Sequence, residues 1–321
     1  MSPIQNRIEL RGKRILVTGA RGFVGRHVVD RLAPEASVHR LVRRIAEIGC
    51  ESESEVEGEL TSLASMQAAL RTVRPDAVIH LAGATPPADV ETFYAVNTLG
   101  TVNLLEAARM LDRPMRIVVV GSAAELGPVE ESALPVGEDY RARPTEPYGT
   151  SKLLATTAAL AARPPLEVCV ARVFNPIGPG LPESQALGRF AAVLASSPTD
   201  HVELTVGDLT PRRDFIDVRD VAEAIISLIV SGAPGRLYHV GTGRSRTIAE
   251  GLRCLAALSR SNVVTRFDPA LARRTGPSDS RADVSRMRSE VGWSPVIPWE
   301  QSLLDLWNDA VLRLTARAPL L

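Results

Sequence analysis

The stretch RILVTG, Arg14 to Gly19, is a short apolar run, and FVGRHVVDRLA after it switches to helical spacing. A strand, a glycine turn and a helix are therefore predicted. Val38 to Val42 predicts a second strand. PDAVIHLAG, ending at Gly83, predicts a buried strand bounded by turn residues, and MRIVVVGS predicts another that ends at Ser122. From Val90 to Ala108 the sequence VETFYAVNTLGTVNLLEAA reads as one helix facing Phe93, Val96, Leu104 and Leu105 inward. A long helix begins at Pro147 or Tyr148, and LEVCVARVFN follows as a strand. Such alternation predicts an α/β fold, with a Rossmann-like parallel sheet flanked by helices.

Beyond Asn175 the texture changes. PIGPGLPES breaks the chain and introduces a helix around Leu187 to Ala195, before RRDFIDVRDVAEAIISLIV and RLYHVGTG return to strand and helix patterns. The expected organisation is a main dinucleotide-binding region over 1–174. A smaller mixed α/β substrate-binding region covers 175–321, with portions around 212–250 returning to the Rossmann core. No internal repeat is present.

Composition narrows the function classes. The 321 residues are 45% hydrophobic and 23% charged, which is ordinary for a globular protein. Thirty-seven basic residues balance 37 acidic ones, so no overall field draws the chain to a nucleic acid polymer or an anionic membrane. Cys50, Cys169 and Cys254 are odd in number and lack a CxxC pair, against a disulfide framework or zinc site. His80 and His239 belong to no HxxxH or HExxH pattern, so packing is expected of them and no metal site is expected. Trp293 belongs to a GWSP turn, and Trp299 and Trp307 are expected to pack the C-terminal region. The N-terminus MSPIQNRIEL lacks the apolar stretch of a signal peptide, and a cytoplasmic enzyme is expected.

Gly19, Gly22 and Gly25 form GxxGxxG at the predicted strand-to-helix turn. The first allows the turn, the second lets a phosphate approach, and the third lets the helix pack on the sheet; amides at the helix start then face a pyrophosphate. Arg21, Phe23 and Val24 of the same turn are taken as coenzyme-side. Where a carboxylate for ribose hydroxyls often ends the second strand, this chain has Arg43 and Arg44. A guanidinium pairs with an adenosine 2′-phosphate that a carboxylate would repel, so NADPH/NADP+ is favoured over NADH/NAD+. Further along, EPYGTSK places Tyr148 and Lys152 four residues apart, on one helix face, while Ser122 stands just past a strand. Together they can meet around a carbonyl.

These motifs, with VIHLAG, VNTLGTVNLLEAA, GSAAELG, ARVFNPIGPG, RRDFIDVRDVA and EVGWSP in order, resemble the extended short-chain dehydrogenase/reductase family. The similarity is strongest to its nucleotide-sugar branch and, within that, to the GDP-4-keto-6-deoxy-mannose reductases and related NDP-4-ketosugar reductases. It implies coenzyme-side roles for Glu59, Leu60, Leu81, Ala82, Gly83, Asn97, Tyr148 and Lys152. It implies hydride transfer to a sugar C4 carbonyl, with Tyr148 as proton donor, Ser122 as hydrogen-bond donor to the carbonyl oxygen, and Lys152 favouring the tyrosinate. On the substrate side it implies Asn175 near the phosphates of a nucleotide-diphosphate sugar, Arg213 on the diphosphate, and Arg281 on phosphate or nucleoside. A homodimer is a further implication.

Departures from the family pattern select among reactions. The 4,6-dehydratases carry a carboxylate one or two places after the catalytic Ser/Thr, where this chain has Ala123 and Ala124; Glu125 comes one place later. The fucose-synthase branch uses a cysteine and a histidine where this chain has Ala124 and Gly180. NADPH-dependent reduction of an NDP-4-keto-6-deoxyhexose, GDP- or dTDP-linked, remains the leading expectation. An NAD-dependent nucleotide-sugar 4-epimerase and a pseudoenzyme that binds NADP(H) and nucleotide sugar are the alternatives.

Overall fold

The protein is represented by a computed structural model, which describes residues 9–44, 54–197, 199, 201–271 and 278–317. Its first element, β1 (Arg14–Thr18), is the apolar run before the glycine turn. Successive residues point to opposite faces of a strand, so Ile15 and Val17 enter one core and Leu16 the other. A strand buried on both faces has no polar side to show, which explains the continuous apolar runs.

Seven strands make the main sheet in the order β10-β6-β5-β4-β1-β2-β3. They are β2 (Ser37–Val42), β3 (Glu55–Glu57), β4 (Ala77–His80), β5 (Met115–Ser122), β6 (Leu166–Val173) and β10 (Leu237–Val240), with β1 near the centre. Every pairing in this sheet is parallel. One face is covered by α1 (Phe23–Leu32) and α6 (Val218–Ser231), which bury Val28, Ile225 and their neighbours against Ile15 and Tyr238. The other face is covered by α2 (Leu63–Val73), α3 (Gly100–Arg109) and α4 (Pro147–Leu160), with Met66, Leu70 and Leu104 against Leu16 and Ile117.

A smaller mixed region completes the chain. In it β7 (Asn175–Ile177) pairs parallel with β9 (Arg212–Asp217), which pairs antiparallel with β11 (Ser245–Thr247); β8 (His201–Val206) pairs parallel with β12 (Asn262–Phe267). The helices α5 (Ala186–Ser196), α7 (Ile248–Ser259) and α8 (Trp299–Arg317) close a third core around Phe190, Leu204, Leu255 and Leu303. Trp299 and Trp307 pack against this core, whereas Trp293 joins the first one. The turn after β7 fastens the two regions: Arg26 and His27 of α1 donate to, or bond, the carbonyls of Gly180 and Pro179, and the Gly180 N–H bonds Asp309 of α8 at 2.9 Å.

The expected single helix from Val90 to Ala108 is interrupted. A short helical turn at Val90–Thr92 leads into a π-helix over Phe93–Leu99 before α3, with the Gly100 N–H bonded to the Ala95 carbonyl. The wider turn rotates the inward face. Asn97 is consequently buried while Val96 is only half-buried, against the expected inward valine. Cys169 and Cys254 are free thiols, and Cys50 lies outside the described residues. Among the described residues, no helix is long and apolar enough to cross a membrane.

Candidate active site

From β1 the chain runs outward through β2 and β3 on one side and then crosses back to β4 on the other, so the strand order reverses at β1. Such a switch point opens a crevice at the carboxyl ends of the strands. Gly19 begins the turn there with φ +68°, and a Cβ on it would lie 2.6 Å from the Ala82 amide nitrogen. A Cβ on Gly25 would overlap the Gly19 carbonyl, so only glycine lets α1 approach β1 so closely. Gly22 differs: it is exposed, and a Cβ there would meet only the Gly19 carbonyl, at 3.1 Å. It occupies the N-cap of α1 with no capping side chain and no acid in the first turn. An open helix start of this kind, fronted by a glycine, fits a dinucleotide pyrophosphate. Beside it Phe23 packs edge-on against His27, and Val24 packs against the core.

Arg43 and Arg44 follow β2 directly and are exposed. Arg21, expected beside them, makes a paired contact with the Glu55 carboxylate at 2.9 and 3.0 Å. After β3, Glu59 accepts bonds from the Thr61 amide and hydroxyl, and buried Leu60 offers its carbonyl to Asn103. Leu81 and Ala82 follow β4 and pass in front of Gly19, and Gly83 comes next, beside Asn97, so the strand is shorter than its apolar run.

Ser122, the last residue of β5, caps a short turn over Ala123–Leu126: its Oγ accepts from the Ala124 amide, and its own N–H donates to Glu125 Oε1 at 2.6 Å. The start of α4 lies against this turn, because a Cβ on Gly149 would overlap the Ala124 carbonyl. That contact sets Tyr148 next to the Ser122 turn. Tyr148 meets buried Phe93 edge-on, with ring centroids 5.6 Å apart. One turn along, Lys152 Nζ donates to the Val120 carbonyl at 2.6 Å. Burial lowers the Lys152 pKa, and the negative Glu125 opposes that shift. Asn97 binds both backbone groups of Ala84, at 2.7 and 3.1 Å, and donates to Ser151 Oγ at 2.9 Å, beside Lys152.

Glu125 is fully buried, and its second oxygen accepts from Arg172 Nε and Nη2 at 3.0 and 2.9 Å. Arg172 in turn meets His239 Nε2 at 3.3 Å, and the His239 ring donates from Nδ1 to the Val136 carbonyl. Both oxygens of this carboxylate are thus committed to holding the Ser122 turn. Removing Arg172 would leave an uncompensated buried charge, worth about 3–5 kcal/mol.

The residues expected on the sugar side converge on the edge of the smaller region. Asn175 on β7 donates to the Asp214 carbonyl at 3.2 Å; Arg213 precedes Asp214 on β9 and donates to the Arg212 carbonyl. Arg281 has a buried Nε without a partner among the described residues, and its Nη1 is 3.9 Å from Asp279. An unsatisfied buried guanidinium donor is suited to an anionic oxygen. Sequence reasoning missed what joins these groups. Buried Asp214 accepts from the amides of Thr242, Gly243 and Ala282 at 2.8, 2.9 and 3.0 Å, and from the Thr242 hydroxyl. It therefore ties the strand carrying Arg213 to the segment carrying Arg281. An acid set between two arginines and the apolar pair Phe215–Ile216 of the strand was the available signal.

Comparison with known proteins places the chain in a family. Residues 15–241 match the NAD dependent epimerase/dehydratase family. The chain is 33% identical over 308 residues to GDP-6-deoxy-D-mannose reductase of Pseudomonas aeruginosa, covering 92% of this chain and 97% of the relative. It is 30% identical to the dTDP-6-deoxy-L-talose 4-dehydrogenase (NAD(P)(+)) of Kitasatospora kifunensis, covering 92% of this chain and 95% of that one. Among solved structures, that of RMD from Pseudomonas aeruginosa complexed with NADPH superposes with a TM-score of 0.80 at 32% identity, covering 94% of this chain and 99% of that one. The chain therefore belongs to the NAD dependent epimerase/dehydratase family, and the resemblance of its motifs to the nucleotide-sugar ketoreductases is borne out.

Proposed function

We propose that this protein uses NADPH to reduce the C4 ketone of an NDP-4-keto-6-deoxyhexose to the C4 alcohol. The observation that carries the reading is the meeting of the Ser122 turn with the start of α4, while Glu125, the carboxylate closest to Ser122 in sequence, is locked away by Ser122 and Arg172. A dehydratase needs a free acid/base group at that place, and Ala123 and Ala124 supply none. At Gly180, φ is +92°, a backbone conformation strained for any side chain, which disfavours there the histidine that the fucose-synthase branch uses.

Gly19, Gly22 and Gly25 would hold the pyrophosphate of NADPH, which when bound would supply the hydride. Tyr148 gives a proton to the carbonyl oxygen as negative charge gathers there, and Ser122 donates a hydrogen bond to the same oxygen. Lys152, held by the Val120 carbonyl in a low-dielectric site, favours the tyrosinate left by proton transfer. Arg43 and Arg44 support NADPH over NADH through charge-assisted bonds to the 2′-phosphate. Asn175, Arg213 and Arg281 are assigned to the nucleotide diphosphate. Exposed Leu99, Val102 and Leu154 on the helices beside the catalytic segment support a homodimer.

A product-resolved assay with GDP- and dTDP-4-keto-6-deoxyhexoses, each with NADPH or NADH, tests the reading. One NADPH oxidised for each new C4 hydroxyl is the expected result. A C4 epimer formed without net nicotinamide turnover would replace reduction with epimerisation, and tight binding of both ligands without any conversion would make the protein a pseudoenzyme.

A further inference from the structure

His80 is buried in β4 and takes no part in the mechanism above, yet both of its ring nitrogens are bonded. The direction of each bond follows from its neighbours. Thr101 Oγ1 donates to the Asn97 carbonyl at 2.6 Å, and a carbonyl can only accept. The Thr101 oxygen must then accept from His80, 3.0 Å away, which places the ring proton on Nε2. Burial holds the imidazole neutral by lowering its pKa to about 3, with the Lys152 ammonium pushing the same way. Nδ1 is therefore an acceptor, and the Thr18 hydroxyl donates to it at 2.7 Å while receiving the Ala82 N–H at 3.1 Å. The result is an unbroken one-way chain: Ala82 N–H to Thr18, Thr18 to His80, His80 to Thr101, Thr101 to the Asn97 carbonyl.

Its two ends lie in different parts of the site. Thr18 immediately precedes Gly19, and Ala82 is the residue that a Gly19 side chain would strike. Asn97, in the π-helix, holds Ala84 and Ser151 next to Lys152. We propose that His80 is a positioning residue that serves the coenzyme turn through Nδ1 and, separately, the Asn97–Lys152 corner through Nε2. Thr18 alone could satisfy the Ala82 amide, but only the ring spans the gap between β1 and α3 with an acceptor at one end and a donor at the other.

The turnover arm of the test rests on the reductase reading; the binding arm does not. In His80→Asn the amide oxygen stands where Nδ1 was and accepts from Thr18, but Thr101 loses its donor. In His80→Gln the amide nitrogen stands where Nε2 was and serves Thr101, but Thr18 loses its acceptor. NADPH affinity is read by nicotinamide fluorescence and kcat at saturating coenzyme. His80→Asn should keep the NADPH Kd within about twofold and lose about tenfold in kcat, while His80→Gln should weaken NADPH about tenfold and largely keep kcat.

Equal losses of both quantities in both variants, no loss in either, or the reverse assignment would overturn the proposal. Should one variant not fold, Thr101→Val replaces His80→Asn and Thr18→Val replaces His80→Gln, with the same expected split. If the wild-type protein reduces no ketosugar, the reductase reading fails, and the difference in NADPH affinity between the two variants still decides whether Nδ1 serves the coenzyme turn.

Discussion

On the coenzyme side of the cleft the shaping groups are backbone: glycines at φ values and separations that no side chain allows, an open helix start, and loops pinned by buried hydrogen bonds. On the side proposed for the sugar nucleotide they are long charged side chains, Arg213 and Arg281, carried by segments that buried Asp214 fastens together. The difference teaches how the two halves respond to change. A backbone site has one shape, which suits a coenzyme shared across a family. A site made of arginines on loops can be altered residue by residue, which suits a substrate that varies. Between the two stands the catalytic corner, whose residues come from β5 and α4 and which both halves must reach.

Substitutions can break that comparison. Tyr148→Phe removes the proton donor but keeps the ring against Phe93, so kcat should fall by about 10²–10⁴ while NADPH affinity stays within a few-fold. Rapid-mixing measurement of NADPH oxidation beside a fluorescence titration checks both, and normal turnover would remove Tyr148 from its role. Arg213→Ala should raise the KM for the nucleotide sugar by about 10–100-fold and leave NADPH binding alone, because a lost charge-assisted bond is worth roughly 1.5–3 kcal/mol. An equal loss of coenzyme affinity would show that the two sides are not separable. The smallest effect is expected at the exposed pair: Arg43→Ala with Arg44→Ala should weaken NADPH by about tenfold, and less at high salt, with NADH unchanged. If NADH and NADPH weaken together, the pair does not read the 2′-phosphate.

A milder handle is acidity. His80 and His239 are both buried, with pKa values lowered to about 3 by desolvation. In the unfolded chain each titrates near its ordinary value of about 6.5. Between those limits the unfolded state binds more protons, so their contribution to stability is full above about pH 6.5 and is lost as pH falls toward 3. Each histidine should withdraw on the order of 1.4 kcal/mol per pH unit across that window, visible in urea midpoints measured from pH 7 to pH 5. His80→Gln should flatten the slope by its share.

Much of this was legible in the chain. The β1–turn–α1 unit, β5 ending at Ser122, and α4 starting at Pro147 were read from apolar runs, glycines and the Tyr148–Lys152 spacing, because each depends on residues close in sequence. The π-helix was not, since its wide turn is set by what Asn97 must reach at Ala84 and Ser151. Glu125 stood in the sequence as an acid near Ser122. Its second oxygen is taken by Arg172, 47 positions away, a partner that spacing along the chain does not show.

By itself, then, the sequence determined the alternation of elements, the glycine turn and the residue types that can move a proton and a hydride, for these follow from local periodicity and side-chain chemistry. Tertiary structure alone decided which polar groups are spent on one another: Glu125 on Arg172, Asp214 on three amides, His80 on two threonines. The reason is desolvation. A buried polar group must find a partner wherever the fold brings one, and spacing along the chain carries no record of that choice.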